Sequence, residues 1–135
     1  AWAKPNFGIL QKALYRRGYS NVEVIQDCRQ FPDPHASQLT AHPGRHPEIL
    51  DRITKHPNFP RLMKEVKTWF LNVLLQKEEE GDPSVVAAFY CKRGRHRSVA
   101  VAECFLHCIK TVENVQAEEV VYLCQRHWPR GSCKG

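Results

Sequence analysis

Apolar and polar positions switch between two periods along this chain, and the switches mark its elements. Residues 7–17 (FGILQKALYRR) carry a short helical pattern that Gly18 ends. Residues 22–28 (VEVIQDC) carry the β-branched signal of a strand. Residues 31–47 follow as a long loop with Pro32, Pro34, Pro43, Gly44 and Pro47, and it includes His35 and His46. Residues 48–56 predict a short helix stopped by Pro57. The longest helical pattern spans 60–79, with Pro60 in its first turn and Gly81 at its exit. Its apolar stripe is Leu62, Val66, Trp69, Phe70, Val73 and Leu74, a predicted core face.

Residues 84–90 (SVVAAFY) form an unbroken apolar run, which suits a strand covered on both faces. A basic loop at 91–97 leads into a helical pattern at 98–110, and 119–124 (EVVYLC) predict a last strand. Strands and helices thus alternate, which predicts an α/β fold: one sheet with helices packed on its faces. The expected division is an N-terminal helical extension over 1–21, one domain over 22–128 and a flexible tail over 129–135. Ligands in such folds bind beyond the carboxyl ends of the strands. Segments 29–46 and 91–98 both follow strands, so they are expected to meet at one edge of the sheet.

Composition narrows the function classes. The chain has 135 residues, 42% hydrophobic and 25% charged, which suits one globular core. No apolar run approaches the roughly 20 residues of a membrane span. The start, Ala1 to Pro5, lacks the apolar stretch of a signal peptide. A cytoplasmic location is the expectation, with no membrane partner. The net charge of +6 favours anionic partners, the plain alternative being a solubility charge without a target. Six cysteines occur, Cys28, Cys91, Cys104, Cys108, Cys124 and Cys133, without a disulfide-scaffold spacing. Free thiols in a reducing compartment explain them, and the sharper alternative is zinc on Cys124, His127 and Cys133. With no CxxC pair in the chain, no metal is expected, and no cofactor is expected either.

The segment that carries chemistry is Cys91-Lys92-Arg93-Gly94-Arg95-His96-Arg97-Ser98, between a strand and a helix. A helix start offers unpaired N–H groups and the positive end of a dipole. A loop wrapping into it can aim several N–H groups at one anion. Gly94 lets the backbone curl close. Arg97 can make a forked contact with phosphate oxygens, Ser98 can cap the helix or bond the anion, and His96 can donate or carry a proton. The plain alternative is an ordinary basic turn. The expected ligand is a phosphorylated small molecule.

The same segment fits Cys-x5-Arg-Ser, the spacing of cysteine-dependent phosphatases, where a thiolate attacks phosphorus. In that reading Cys91 is the nucleophile, favoured as thiolate by three cations and a helix end, and Asp33 is the acid candidate. The simpler reading makes Cys91 a small residue closing a strand.

Several motifs together resemble the C-terminal domain of RapZ, the bacterial RNase adapter protein, also known as the YvcJ family. They are Asp27-Cys28-Arg29, Pro32-Asp33-Pro34-His35, the stretch from Leu39 to Gly44, and Cys91 to Val99 with its His96-Arg97-Ser98. Ala100-Val101-Ala102-Glu103 and the terminal Gln125-Arg126-His127 complete the order. The resemblance runs from about residue 22 to residue 127. It implies a domain that senses glucosamine-6-phosphate and binds regulatory RNA. By motif, it implies a phosphate site at Cys91, Gly94, His96, Arg97 and Ser98, with His35 as a pocket wall and Arg29 and His127 as further contacts. It also implies self-association, as a homodimer or larger homo-oligomer.

The chain departs from the family pattern at Arg93, which replaces the first loop glycine, and at the preceding Lys92; both make the loop more basic and less flexible. The family's nucleotide-binding domain is missing and no GxxxxGK[ST] occurs, so a stand-alone relative or an excised module is expected. RNA contacts would fall on Lys110, Arg126 and Arg130, together with Arg16 and Arg17, for which the plain alternative is a solvated face. Three functions are therefore in view: phosphometabolite sensing, RNA binding and phosphatase chemistry. His46 is a weaker site candidate than His35, and His42, His56 and His107 are expected to be structural or surface residues.

Overall fold

A computed structural model describes residues 12, 14–18, 22–31, 46–91 and 97–122. Its elements are β1 (Val24–Asp27), α1 (Pro47–Thr54), α2 (Phe59–Glu79), β2 (Ala87–Tyr90) and α3 (Arg97–Lys110). The two strands pair in parallel, Val24 opposite Ala87 and Asp27 opposite Tyr90. Parallel pairing requires a crossover, and α1 and α2 supply it. The fold is α/β, as the alternation of periods predicts.

Each helix is placed by its apolar spacing. Ile49 and Ile53 on α1, Leu62 and Val66 on α2, and Val101, Phe105 and Ile109 on α3 recur every four residues and join one buried cluster with Val24. Burying each such side chain fully contributes about 1.5–3 kcal/mol. Phe105 sits between Phe70 and Phe89, both ring centroids 5.4 Å away, and so links α3 to α2 and β2. Positions 98–102 are buried without interruption, so the first turns of α3 pack on every face around the helix axis.

Local signals set the helix ends. Pro47 opens α1, and the His46 ring accepts the Glu48 N–H through Nδ1 at 3.2 Å, an N-cap. Gly81 takes a positive φ of 83° after α2, and Gly18 one of 84° after the helical turn at 14–15, the left-handed step that favours glycine at a helix exit.

Three expectations need correction. The run 119–124 does not give a strand over its described residues 119–122: they lie outside the ladder, and Val121 is half exposed. β-branched composition makes a strand only where a partner edge is available. The predicted strand over 84–90 shortens to Ala87–Tyr90, because β1 offers ladder partners only from Val24 onward. All four of its residues are half-buried, so it is not sealed on both faces. Trp69 is 42% exposed rather than core, since Leu62, Val66 and Phe70 define the inward line of α2 and Trp69 sits on its margin.

Candidate functional site

Parallel strands finish at the same edge, and here that edge also receives the start of α3. The ladder ends with the Cys28 N–H donating to the Tyr90 carbonyl at 2.8 Å. Beyond it, β1 turns through Cys28 to Phe31 and β2 passes to Cys91. Segments 29–31 and 97–98 do meet, through one side chain. Arg97 Nη1 donates to the Arg29 carbonyl at 3.1 Å and to the Phe31 carbonyl at 3.0 Å. Two carbonyls leaving a strand need donors, and one guanidinium nitrogen supplies both.

A second tie joins the end of β2 to the start of α3. The Ser98 N–H donates to Cys91 Sγ at 3.4 Å, and the Cys91 thiol donates to Ser98 Oγ at 3.2 Å. Ser98 is only 5% exposed, the buried polar residue beside an otherwise apolar helix start. An amide of the first turn of α3 is thus spent on sulfur. Cys28 lies behind this contact, fully buried, and burial pushes its thiol up.

Arg29 is held on the same edge. Its Nε donates to Asp27 Oδ1 at 3.0 Å and its Nη2 to Oδ2 at 2.9 Å, a forked pair, while its own N–H donates to Oδ1 at 2.8 Å. The guanidinium lies over the Tyr90 ring, 5.1 Å from its centroid. The hydrogen bond from Arg29 holds the Asp27 carboxyl below the usual carboxylate range, and partial burial opposes this.

The other candidates divide clearly. Lys92, Arg93, Gly94, Arg95, His96, Asp33, His35, Arg126, His127 and Arg130 lie outside the described residues, as do Cys124 and Cys133. Lys110 pairs with Glu119 at 2.7 Å on the far end of α3. His46 is the α1 cap, and the His56 ring meets Phe31 edge-on at 5.1 Å, a structural place. Cys28, Cys91, Cys104 and Cys108 are reduced thiols, and burial pushes Cys104 up to about 11. Among the described residues no group of three or more potential ligands could hold a metal ion, and no helix is long and apolar enough to cross a membrane.

Sequence reasoning missed Tyr90 and the two carbonyls that Arg97 holds. Tyr90 matters through its cross-strand place beside Asp27, which only the strand register shows. Backbone carbonyls leave no residue-type signal at all. Asp27 did carry one, its spacing of two from Arg29 at the strand end.

Comparison with known proteins gives the family of the chain. Residues 12–122 match the family described as the RapZ C-terminal domain. A nucleotide-binding protein of Cereibacter sphaeroides is 35% identical over 96 residues, covering 70% of this chain and 32% of that protein. One of Zymomonas mobilis is 35% identical over 100 residues, covering 73% and 31%. One of Stenotrophomonas maltophilia is 34% identical over 98 residues, covering 70% and 33%. This chain therefore spans about a third of the length of the relatives it matches. No solved structure gives a significant match. With its motif order and the match over most of its length, the chain belongs to the RapZ C-terminal domain family.

Proposed function

We propose that this domain, over residues 22–128, binds a phosphorylated small molecule where the 91–98 loop runs into α3, and that it acts as a sensor. The observation that carries the reading is the convergence of three features on one edge: two parallel strand ends, the start of α3 and the basic pair Arg29 and Arg97. Parallel α/β folds place anions at such an edge, where amide dipoles point outward. Arg97 commits Nη1 to backbone, and its Nε–Nη2 edge is the fork for a phosphate. The relatives' printed names speak of nucleotides, but this chain matches only about a third of their length. A sugar phosphate resembling glucosamine-6-phosphate is the ligand that the family resemblance implies.

Thermal shift on the purified chain tests this, with sugar phosphates, nucleotides and inorganic phosphate as probes. A ligand at 100 times its Kd stabilises the folded state by about 2.7 kcal/mol. The expected result is a rise in Tm with a sugar phosphate that His96→Ala and Ser98→Ala both remove. An equal rise in both variants, or no rise with any probe, would refute the placement. RNA binding finds no specific support among the described residues, where Lys110 is already paired.

One observation favours a second reading, a cysteine-dependent phosphatase: both the amide and the hydroxyl of Ser98 address the Cys91 sulfur. Turnover of an aryl phosphate that Cys91→Ser abolishes would establish it. Absence of turnover across the pH range would remove it.

A further inference from the structure

The register of the sheet places two cysteines side by side. Asp27 faces Tyr90 as the last ladder pair, and the Cys28 N–H bond to the Tyr90 carbonyl carries the ladder one step further. Cys28 and Cys91 are therefore lateral neighbours, and Cys91 packs against the cluster that contains Cys28. Side chains laterally opposed on paired strands share a face. Adjacent strands lie about 4.8 Å apart, within the roughly 4.4–6.8 Å between Cα atoms that a disulfide spans.

We propose that Cys28 and Cys91 form a reversible disulfide that shuts the anion site under oxidising conditions. The effect on the site rests on the binding function proposed above; the bond itself does not. Access and chemistry set the order of events. Cys91 is half-buried and Cys28 is fully buried, so an oxidant meets Cys91 first. The Ser98 amide points at the Cys91 sulfur, and a donor so placed supports attack by a thiolate.

With a hydroperoxide as oxidant, the Cys91 sulfur attacks the distal oxygen and the O–O bond breaks. Sulfur is oxidised to a sulfenic acid, and the peroxide is reduced and leaves as water or an alcohol. The Cys28 sulfur then attacks that sulfur, the S–O bond breaks and the S–S bond forms. The hydroxyl leaves with the Cys28 proton as water. Burial disfavours the Cys28 thiolate, so this second step is the slow one. A dithiol reductant reverses the bond by thiol exchange. The disulfide takes the Cys91 sulfur away from Ser98, undoing the tie between the end of β2 and the start of α3.

The test treats the full chain with hydrogen peroxide, maps peptides without reduction, and follows the phosphate-induced Tm shift before and after. Expected are a peptide pair joined through Cys28 and Cys91, loss of the phosphate shift, and return of both to the starting state with dithiothreitol. Cys28→Val, which keeps an apolar strand former, should retain the shift after brief peroxide treatment, and Cys28→Ala provides the same test if valine perturbs the fold. Cys104 and Cys108 serve as internal controls. Crosslinks to other cysteines, or oxidation without a 28–91 link, would overturn the pairing. A 28–91 link with an unchanged phosphate shift would overturn the switch. If reduced protein shows no shift with phosphate or with any sugar phosphate, the binding function falls, and the peptide map alone then decides the pairing.

Discussion

The two ends of this small sheet use their charges in opposite ways. At the entering end, Glu23 Oε2 accepts the Val86 N–H at 2.8 Å, and Lys77 reaches both Glu23 at 3.6 Å and Asp82 at 3.3 Å. Those charges close the start of the ladder against the exit of α2. At the leaving end, Arg97 holds two carbonyls, Arg29 is tied to Asp27, and a thiol and a hydroxyl meet at the start of α3. Strand polarity alone sends amides and the helix mouth to that end. A site grows at one end because basic residues stand where the fold already presents donors.

Breaking what both ends share should have the largest effect. Phe105 packs between Phe70 and Phe89 under the sheet, so Phe105→Ala should cost about 3–5 kcal/mol in urea unfolding. Equal loss at both ends is expected, so any phosphate response should weaken with the fold. Arg97→Ala comes next, at about 2–3 kcal/mol, because two carbonyls lose their shared charged donor. Unlike Phe105→Ala, it should abolish the phosphate-induced Tm rise at temperatures where the variant is still folded. A stable Arg97→Ala protein with an intact response would dissolve the link between strut and site.

Much of this was legible in the sequence, and the gaps have physical causes. The helical patterns read over 48–56, 60–79 and 98–110 appear as helices over 47–54, 59–79 and 97–110, from four-residue spacing and, for the first two, Pro and Gly near the ends, signals that a single chain carries locally. The predicted 119–124 strand fails over its described residues 119–122 because a strand needs a neighbour, which composition does not reveal. The meeting of segments 29–31 and 97–98 was legible from parallel topology. That Arg97 would spend a nitrogen on backbone was not, since acceptor carbonyls look alike in every residue. The opposition of Cys28 and Cys91 likewise depends on register, which a shift of one residue would cancel.

The entering end supplies a contrast of moderate size. Glu23→Ala removes a carboxylate that caps the Val86 N–H, so a loss of about 1–2 kcal/mol is expected. Glu23→Gln keeps an acceptor oxygen and should recover most of it. Neither variant should change the phosphate-induced Tm rise. A changed response would mean that the two ends communicate, and the division between closure and site would fail.

The smallest effect belongs to the leaving end, and it shows as pH dependence. The hydrogen bond from Arg29 lowers the Asp27 pKa in the folded state below its unfolded value near 3.8. A lowered folded value means the unfolded chain binds more protons as acid is added, so stability falls with pH. The contribution of Asp27 is thus fully present above the unfolded value and disappears as pH falls through the folded one. Asp27→Asn keeps the shape and removes the charge, so it should cost under about 1 kcal/mol at neutral pH, the scale of a half-exposed pair. Urea midpoints of the two proteins should then converge as pH drops from about 5 toward 3. A constant gap across that range would mean that the Arg29 contact does not depend on the Asp27 charge. The packing of Arg29 over the Tyr90 ring, 5.1 Å from its centroid, would then outweigh the ion pair.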